Sequence, residues 1–275
     1  MTHQGQEGLL LGRQTPPVDQ YAPQLLFPIP RGEARRQLGF SGVLPFTGAD
    51  LWHAYELSWL DANGKPVSRV GRFAIPASSP NMVESKSFKL YLNSINNTRF
   101  ASEAKARDTI LDDVGRVVGA TVTMQLYTVD DPALAGEKLS GTCIDNLDIV
   151  VPVEEPRAQL LEIDPGSGRV EESLYSHLLR SLCPVTGQPD WATLWLHYRG
   201  AALDHRALLR YIVSYRSHRE FHEQCVERMF RDLLQSAQPD VLHIQAFYTR
   251  RGGLDINPFR STDGQAMPLP RINRQ

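Results

Sequence analysis

Leu51-Trp52-His53-Ala54-Tyr55-Glu56-Leu57-Ser58-Trp59-Leu60 runs into Asp61-Ala62-Asn63-Gly64-Lys65, and Val67 to Ile75 follows. The first ten residues, Trp52 and Trp59 among them, read as a strand. The Asp-Ala-Asn-Gly-Lys segment is a turn signal, and Val67 to Ile75 reads as the returning strand of a hairpin. Downstream, Phe88, Leu92 and Ile95 recur at helical spacing, and Ala104, Ile110, Leu111 and Val114 mark a second helix. Val117 to Val129 then alternates as a strand should, and Ile144 to Val151 predicts another.

The second half repeats this order. Val170 to Leu182 and Ala192 to Tyr198 read as strands. Asp204 is placed to cap a helix running to about Arg216. Phe221, Cys225, Met229, Phe230, Leu233 and Leu234 form one face of a stronger helix, and Val241 to Thr249 returns as a strand. Phe100 and Phe221, Tyr127 and Tyr248, and Thr128 and Thr249 are each 121 positions apart. A fixed offset through two helices and a strand points to duplication of a strand–strand–helix–helix–strand unit. Hairpin-joined strands covered by helices make the fold class α+β, with mainly antiparallel sheets. The expected division is an arm over residues 1–48, a first domain over 49–153 and a second over 154–275. The boundary is expected near Val153 to Pro156, and the Gln-, Pro- and Gly-rich arm is read as loosely structured.

The 275 residues carry 29 basic and 31 acidic side chains, so charge gives no argument for nucleic acid or a membrane surface. Met1 to Leu11 has neither a basic start nor a long apolar run, so no signal peptide is expected. No apolar run approaches the ~18 residues of a membrane helix. Three cysteines with no CxxC pair suggest a reducing compartment, and the cytoplasm is the natural expectation. Gly166-Ser167-Gly168 lacks the third glycine of a dinucleotide fingerprint, and no P-loop is present.

Cys183-Pro184-Val185-Thr186-Gly187-Gln188-Pro189-Asp190 offers a thiol and a carboxyl from what reads as an irregular loop. A nucleophile beside a proton donor suggests covalent catalysis with acid–base help. The thiol needs surroundings that favour thiolate, and only Arg180 is close in sequence. Asp190 serves equally as a turn or cap residue. His218, His222 and Cys225 resemble a metal-ligand set on one helix face, although Cys225 also fits the apolar stripe. Glu223 suits the first turn of its helix; it also suits an acceptor for paired N–H donors such as a guanine-like edge. Lys86 and Lys89 lie near a helix start that Ser85 can cap. Arg250-Arg251-Gly252-Gly253 joins two guanidinium groups to a flexible backbone, as a phosphate contact or as an ordinary basic turn.

Together these segments resemble the NADPH-dependent 7-cyano-7-deazaguanine reductases, nitrile reductases of queuosine biosynthesis. The resemblance rests on Glu84-Ser85-Lys86-Ser87-Phe88-Lys89-Leu90-Tyr91, on Cys183 with Asp190, on Phe221-His222-Glu223, and on Arg250-Arg251-Gly252-Gly253-Leu254-Asp255-Ile256-Asn257-Pro258. It covers nearly the whole chain and matches the long, two-domain branch. It implies tandem tunnelling-fold domains, each an antiparallel sheet with two helices on one face, and a homodimer without metal. It implies that Cys183 adds to the nitrile carbon as a covalent thioimide, with Asp190 protonating nitrogen. Hydride from two NADPH then gives the primary amine. Val83, Glu84, Ser85, His222 and Glu223 would face the 7-deazapurine; Ser85, Lys86, Arg251 and Gly252 would hold NADPH. Direct nucleic-acid contact is not expected. A rival class is a zinc hydrolase of the GTP cyclohydrolase kind, with ligands from His218, His222 or Cys225. A third is a non-catalytic purine- or pterin-binding module.

Overall fold

The computed structural model describes residues 18–151 and 155–275. The reading of Met1 to Leu11 and the boundary residue Val153 lie outside them. In chain order the elements are β1 (Pro28–Pro30), α1 (Gly32–Gln37), β2 (Thr47–Leu60), β3 (Pro66–Pro76), β4 (Asn81–Val83), α2 (Ser85–Ser94), α3 (Glu103–Val118) and β5 (Thr123–Tyr127). There follow β6 (Thr142–Cys143), β7 (Arg169–Leu182), β8 (Pro189–Ala201), α4 (His205–Ser214), α5 (His222–Ala237), β9 (Val241–Tyr248) and β10 (Leu254–Ser261). The chain divides into two compact units. One comprises Met1–Glu33, Leu51–Leu134 and Arg250–Asp255; the other comprises Ala34–Asp50, Ala135–Thr249 and Ile256–Gln275.

In the first unit the strand order is β5-β3-β2, and β3 pairs antiparallel with β5 from Val70↔Tyr127 to Ala74↔Thr123. The turn before β3 closes because Asp61 accepts from the N–H groups of Asn63 and Lys65, each at 2.9 Å. Phe88 of α2 meets Trp52 and Phe73 edge-on at 5.5 and 5.2 Å, anchoring the helix on the sheet. Ser102 caps α3 through Lys105 N–H, and Gly119 ends it in the left-handed region at φ 71.

In the second unit the order is β10-β9-β8-β7-β6; β7–β8, β8–β9 and β9–β10 are antiparallel, while the short β6 joins β7 in parallel. Asp204 caps α4 by accepting from Ala207 N–H at 2.8 Å, as expected. Phe230 of α5 packs on Phe46 at 5.4 Å. Below it runs a buried ion network. Glu227 pairs with Arg35 at 2.6 Å and Arg260 at 2.8 Å, and Arg260 also meets Asp50 at 2.8 Å.

The repeated order is present: two long strands, two helices and a returning strand. α2 and α4 have 10 residues each, and α3 and α5 have 16 each. The bond that ties each helix pair repeats as well. Tyr91 donates to Asp113 at 2.7 Å, and Tyr211 donates to Asp232 at 2.6 Å. A charge-assisted bond at the same place in both pairs fixes how the second helix lies against the first. Ser94 and Ser214 each donate to the carbonyl three residues back, at 2.6 Å.

Several expectations need correction. Val117 and Val118 belong to the end of α3 rather than to a strand, and the strand expected from there begins only at Thr123. Ile144 to Val151 is not a strand: after Cys143 the chain turns, with Leu147 N–H on the Ile144 carbonyl. The described part of the arm is structured. β1 pairs antiparallel with β4, Ala22 N–H donates to Ser94 Oγ, and Tyr21 donates to Asp113 at 2.6 Å. β10, which the sequence reading did not find, is buried along its whole length.

Candidate functional site

The second unit holds the cysteine segment. β7 and β8 form a long hairpin whose tip is Cys183 to Gln188, closed by Cys183 N–H on the Gln188 carbonyl and Gly187 N–H on the Cys183 carbonyl, each at 2.9 Å. Gly187 stands at φ 69, where a side chain is strained. The tip therefore reverses the chain and holds Cys183 in place. The thiol is not displayed to solvent: Cys183 is 3% exposed, and Thr186 N–H points at its sulfur from 3.5 Å. Three guanidinium groups stand near the tip. Arg219 lies over Gly187, and Arg180 and Arg216 lie over the Trp191 ring at 5.4 and 5.5 Å.

Asp190 is the second residue of β8, opposite Ser181, not part of an irregular loop as the prolines suggested. Strand placement gives it a fixed direction, and it is buried. His222 opens α5 and brings Nε2 to 3.3 Å from Asp190 Oδ2. The imidazole stacks on Tyr248 with centroids 3.7 Å apart and planes 7° apart. Among the described residues, His222 Nδ1 is buried without a hydrogen-bond partner, a polar atom that a ligand can satisfy. Glu223, beside it in the first turn of α5, is buried too.

The rival metal set does not assemble. His218 pairs with Glu155 at 3.1 Å and Glu220 at 3.0 Å. Burial alone would lower its pKa, but the two carboxylates outweigh burial and raise it. Cys225 is fully buried near Tyr248 and Ser181, and burial pushes its thiol well above the ordinary range. Among the described residues, the group of three such side chains with converging ligand atoms lies elsewhere in this unit.

The first unit holds the other motifs. Val83 ends β4, and Glu84 rather than Ser85 caps α2, accepting from Lys86 N–H at 2.7 Å and Ser87 N–H at 2.8 Å. Burial raises the Glu84 pKa although these bonds pull it down. Ser85 and Lys86 form the first turn of α2. The Arg250 to Gly253 loop returns to the same place: Tyr55 N–H donates to the Gly253 carbonyl at 2.9 Å, and Arg250 lies over the Tyr55 ring at 4.2 Å. A Cβ on Gly253 would sit 2.5 Å from Glu56 Cδ, and one on Gly252 would sit 3.2 Å from Lys89. Lys89 is 3.5 Å from Glu56. Lys89 of α2 and the glycine loop thus meet, with the Lys89 and Glu56 side chains lying against the two glycines. Asp255 closes the cluster, taking Tyr55 hydroxyl at 2.6 Å and lying 2.8 Å from His53 Nδ1.

Residues 18–126 match the family described as nitrile reductase, 7-cyano-7-deazaguanine-reductase N-term, and residues 189–266 match QueF-like protein. The NADPH-dependent 7-cyano-7-deazaguanine reductase of Burkholderia lata is 54% identical over 94% of each chain. The chain belongs to this reductase family. The enzyme of the same name from Chromohalobacter salexigens is 51% identical over 96% of each chain. The crystal structure of the archaeosine synthase QueF-Like in the apo form aligns with TM-score 0.31 and 17% identity, over 38% of this chain and 99% of its own, a likeness that carries no argument.

Sequence reasoning missed three contributors to these clusters. Tyr248 was seen only as a repeat partner of Tyr127. Arg219 and Tyr55 gave no motif signal, because strand pairing and turn geometry bring them in.

Proposed function

We propose that this reductase carries out the NADPH-dependent, four-electron reduction of 7-cyano-7-deazaguanine to 7-aminomethyl-7-deazaguanine, in tRNA queuosine biosynthesis. The observation that carries it is identity of 51–54% across 94–96% of the chain with reductases so named. In this reading Cys183 Sγ adds to the nitrile carbon while Asp190 gives its proton to nitrogen, forming a thioimide. Covalent attachment divides a hard reduction into easier steps. When bound, NADPH supplies hydride, once for the thioimide and once for the imine. Between the two, the Cys183 thiolate departs and the imine must be kept from water. The burial of Cys183 and Asp190 supports that exclusion.

Glu223 accepts the paired N–H edge of the base, and His222 orients it, with Nδ1 as the atom awaiting a partner. Val83, Glu84 and Ser85 also face the base; Glu84 does so while capping α2. Ser85, Lys86, Arg251 and Gly252 hold NADPH, with Lys89 and Arg250 beside them. Each half of the chain is a tunnelling-fold domain, and the enzyme works as a homodimer in the cytoplasm, on a free base rather than on nucleic acid.

The test is NADPH oxidation by reduced protein with 7-cyano-7-deazaguanine. Two NADPH consumed per nitrile is the expected result. No consumption by folded protein would overturn the reading.

A further inference from the structure

A second cluster in the same unit is untouched by this chemistry. β6 runs parallel to β7, with Cys143 opposite Tyr175. Just beyond, the β7–β8 register slips between Ser176 and Leu179, leaving His177 and Leu178 without partners on β8. Such a bulge re-aims its side chains and frees backbone donors. Asp145 takes up that freedom. It accepts from His177 N–H at 3.0 Å and from Ser176 hydroxyl at 2.6 Å. His177 Nδ1 lies 2.8 Å from Thr193 Oγ1, its carbonyl accepts from Arg274 at 2.5 Å, and the Tyr175 ring packs against it at 5.4 Å.

Cys143 Sγ, a carboxylate oxygen of Asp145 and a ring nitrogen of His177 all lie within 4.8 Å of one another. Thiolate, carboxylate and imidazole are the ligand types of zinc, and tetrahedral zinc needs them ~3.4–3.6 Å apart. Asp145 and His177 are each held by contacts of their own, as outer partners hold the ligands of a metal site.

We propose that Cys143, Asp145 and His177 bind a thiophilic divalent cation, zinc first, with water in the fourth position. Binding exchanges the Cys143 thiol proton for the metal: the S–H bond breaks, a zinc–sulfur bond forms, and the proton goes to solvent. The cation ties β6 and its turn to the β7 bulge.

The experiment uses full-length, reduced, metal-stripped protein titrated with zinc against a chromophoric chelator, and with cobalt(II) to read thiolate charge transfer. Wild type is expected to take one zinc per chain and show the cobalt–thiolate band. Cys143→Ser should abolish the band, and both Cys143→Ser and His177→Ala should weaken zinc at least ~10-fold. Cys183→Ala and Cys225→Ser should keep the site. Zinc should also raise the melting temperature of wild type and not of Cys143→Ser, a readout independent of turnover. No zinc uptake by wild type, equal uptake by Cys143→Ser, or loss only in Cys225→Ser would overturn the proposal.

Discussion

His222 Nε2 and Asp190 Oδ2 are 3.3 Å apart, joining the start of α5 to the start of β8. The imidazole thereby stands against the carboxylate assigned as the proton donor. Asp190→Asn keeps shape and removes the acid. Turnover should fall at least ~100-fold, the lower range of positioned acid–base catalysis, with circular dichroism unchanged. Near-wild-type rates would take Asp190 out of the mechanism.

The stack of His222 on Tyr248, at 3.7 Å, fixes the ring plane. Tyr248→Leu keeps an apolar side chain but loses the stacking surface. Affinity for the 7-deazapurine should weaken by about 0.5–1.5 kcal/mol in calorimetry, the ordinary worth of an aromatic pair. Tyr248→Phe should stay close to wild type. Equal losses in both would assign the effect to the hydroxyl instead.

Glu227 is buried between Arg35 and Arg260. Glu227→Gln leaves two buried guanidinium groups short of their carboxylate. Unfolding free energy should drop by about 3–5 kcal/mol in urea titration, as when one partner of a buried pair is removed. A change under about 1 kcal/mol would show that Asp50 alone satisfies Arg260.

His218 has a raised pKa in the folded chain because Glu220 and Glu155 outweigh burial. A folded value above the unfolded 6.5 means stabilisation fully present below 6.5 and lost as pH rises through the folded value. Melting temperature should therefore decline over that window, and His218→Gln should flatten the decline. An identical slope in the variant would place the titration elsewhere.

The elements best foreseen from sequence were those with local signals. The β2–β3 turn is written in Asp61, and α4 in its Asp204 cap. β10 escaped because Leu254 to Ser261 is buried on both faces and shows no alternation, while Pro258 argues against a strand interior. Ile144 to Val151 misled by its apolar content, although the chain turns at Asp145 and Asn146. Cys183, Asp190 and Glu223 were singled out by residue type and position, and His222 first as one of a metal-like set. How the start of β8 meets the start of α5 and Tyr248 was not legible from local pattern, since it depends on register: Ala192 pairs with Tyr248, which sets Tyr248 near the start of β8. The Cys143 cluster was equally invisible, because a bulge rather than a motif brings His177 to it.

Intact-protein mass spectrometry after mixing enzyme with 7-cyano-7-deazaguanine, without NADPH, is the most direct measurement. Wild type should gain the full mass of the nitrile, the adduct should map to Cys183, and Cys183→Ala should gain nothing. An adduct that persists in Cys183→Ala, or turnover by that variant, would contradict the assignment of Cys183 as the nucleophile.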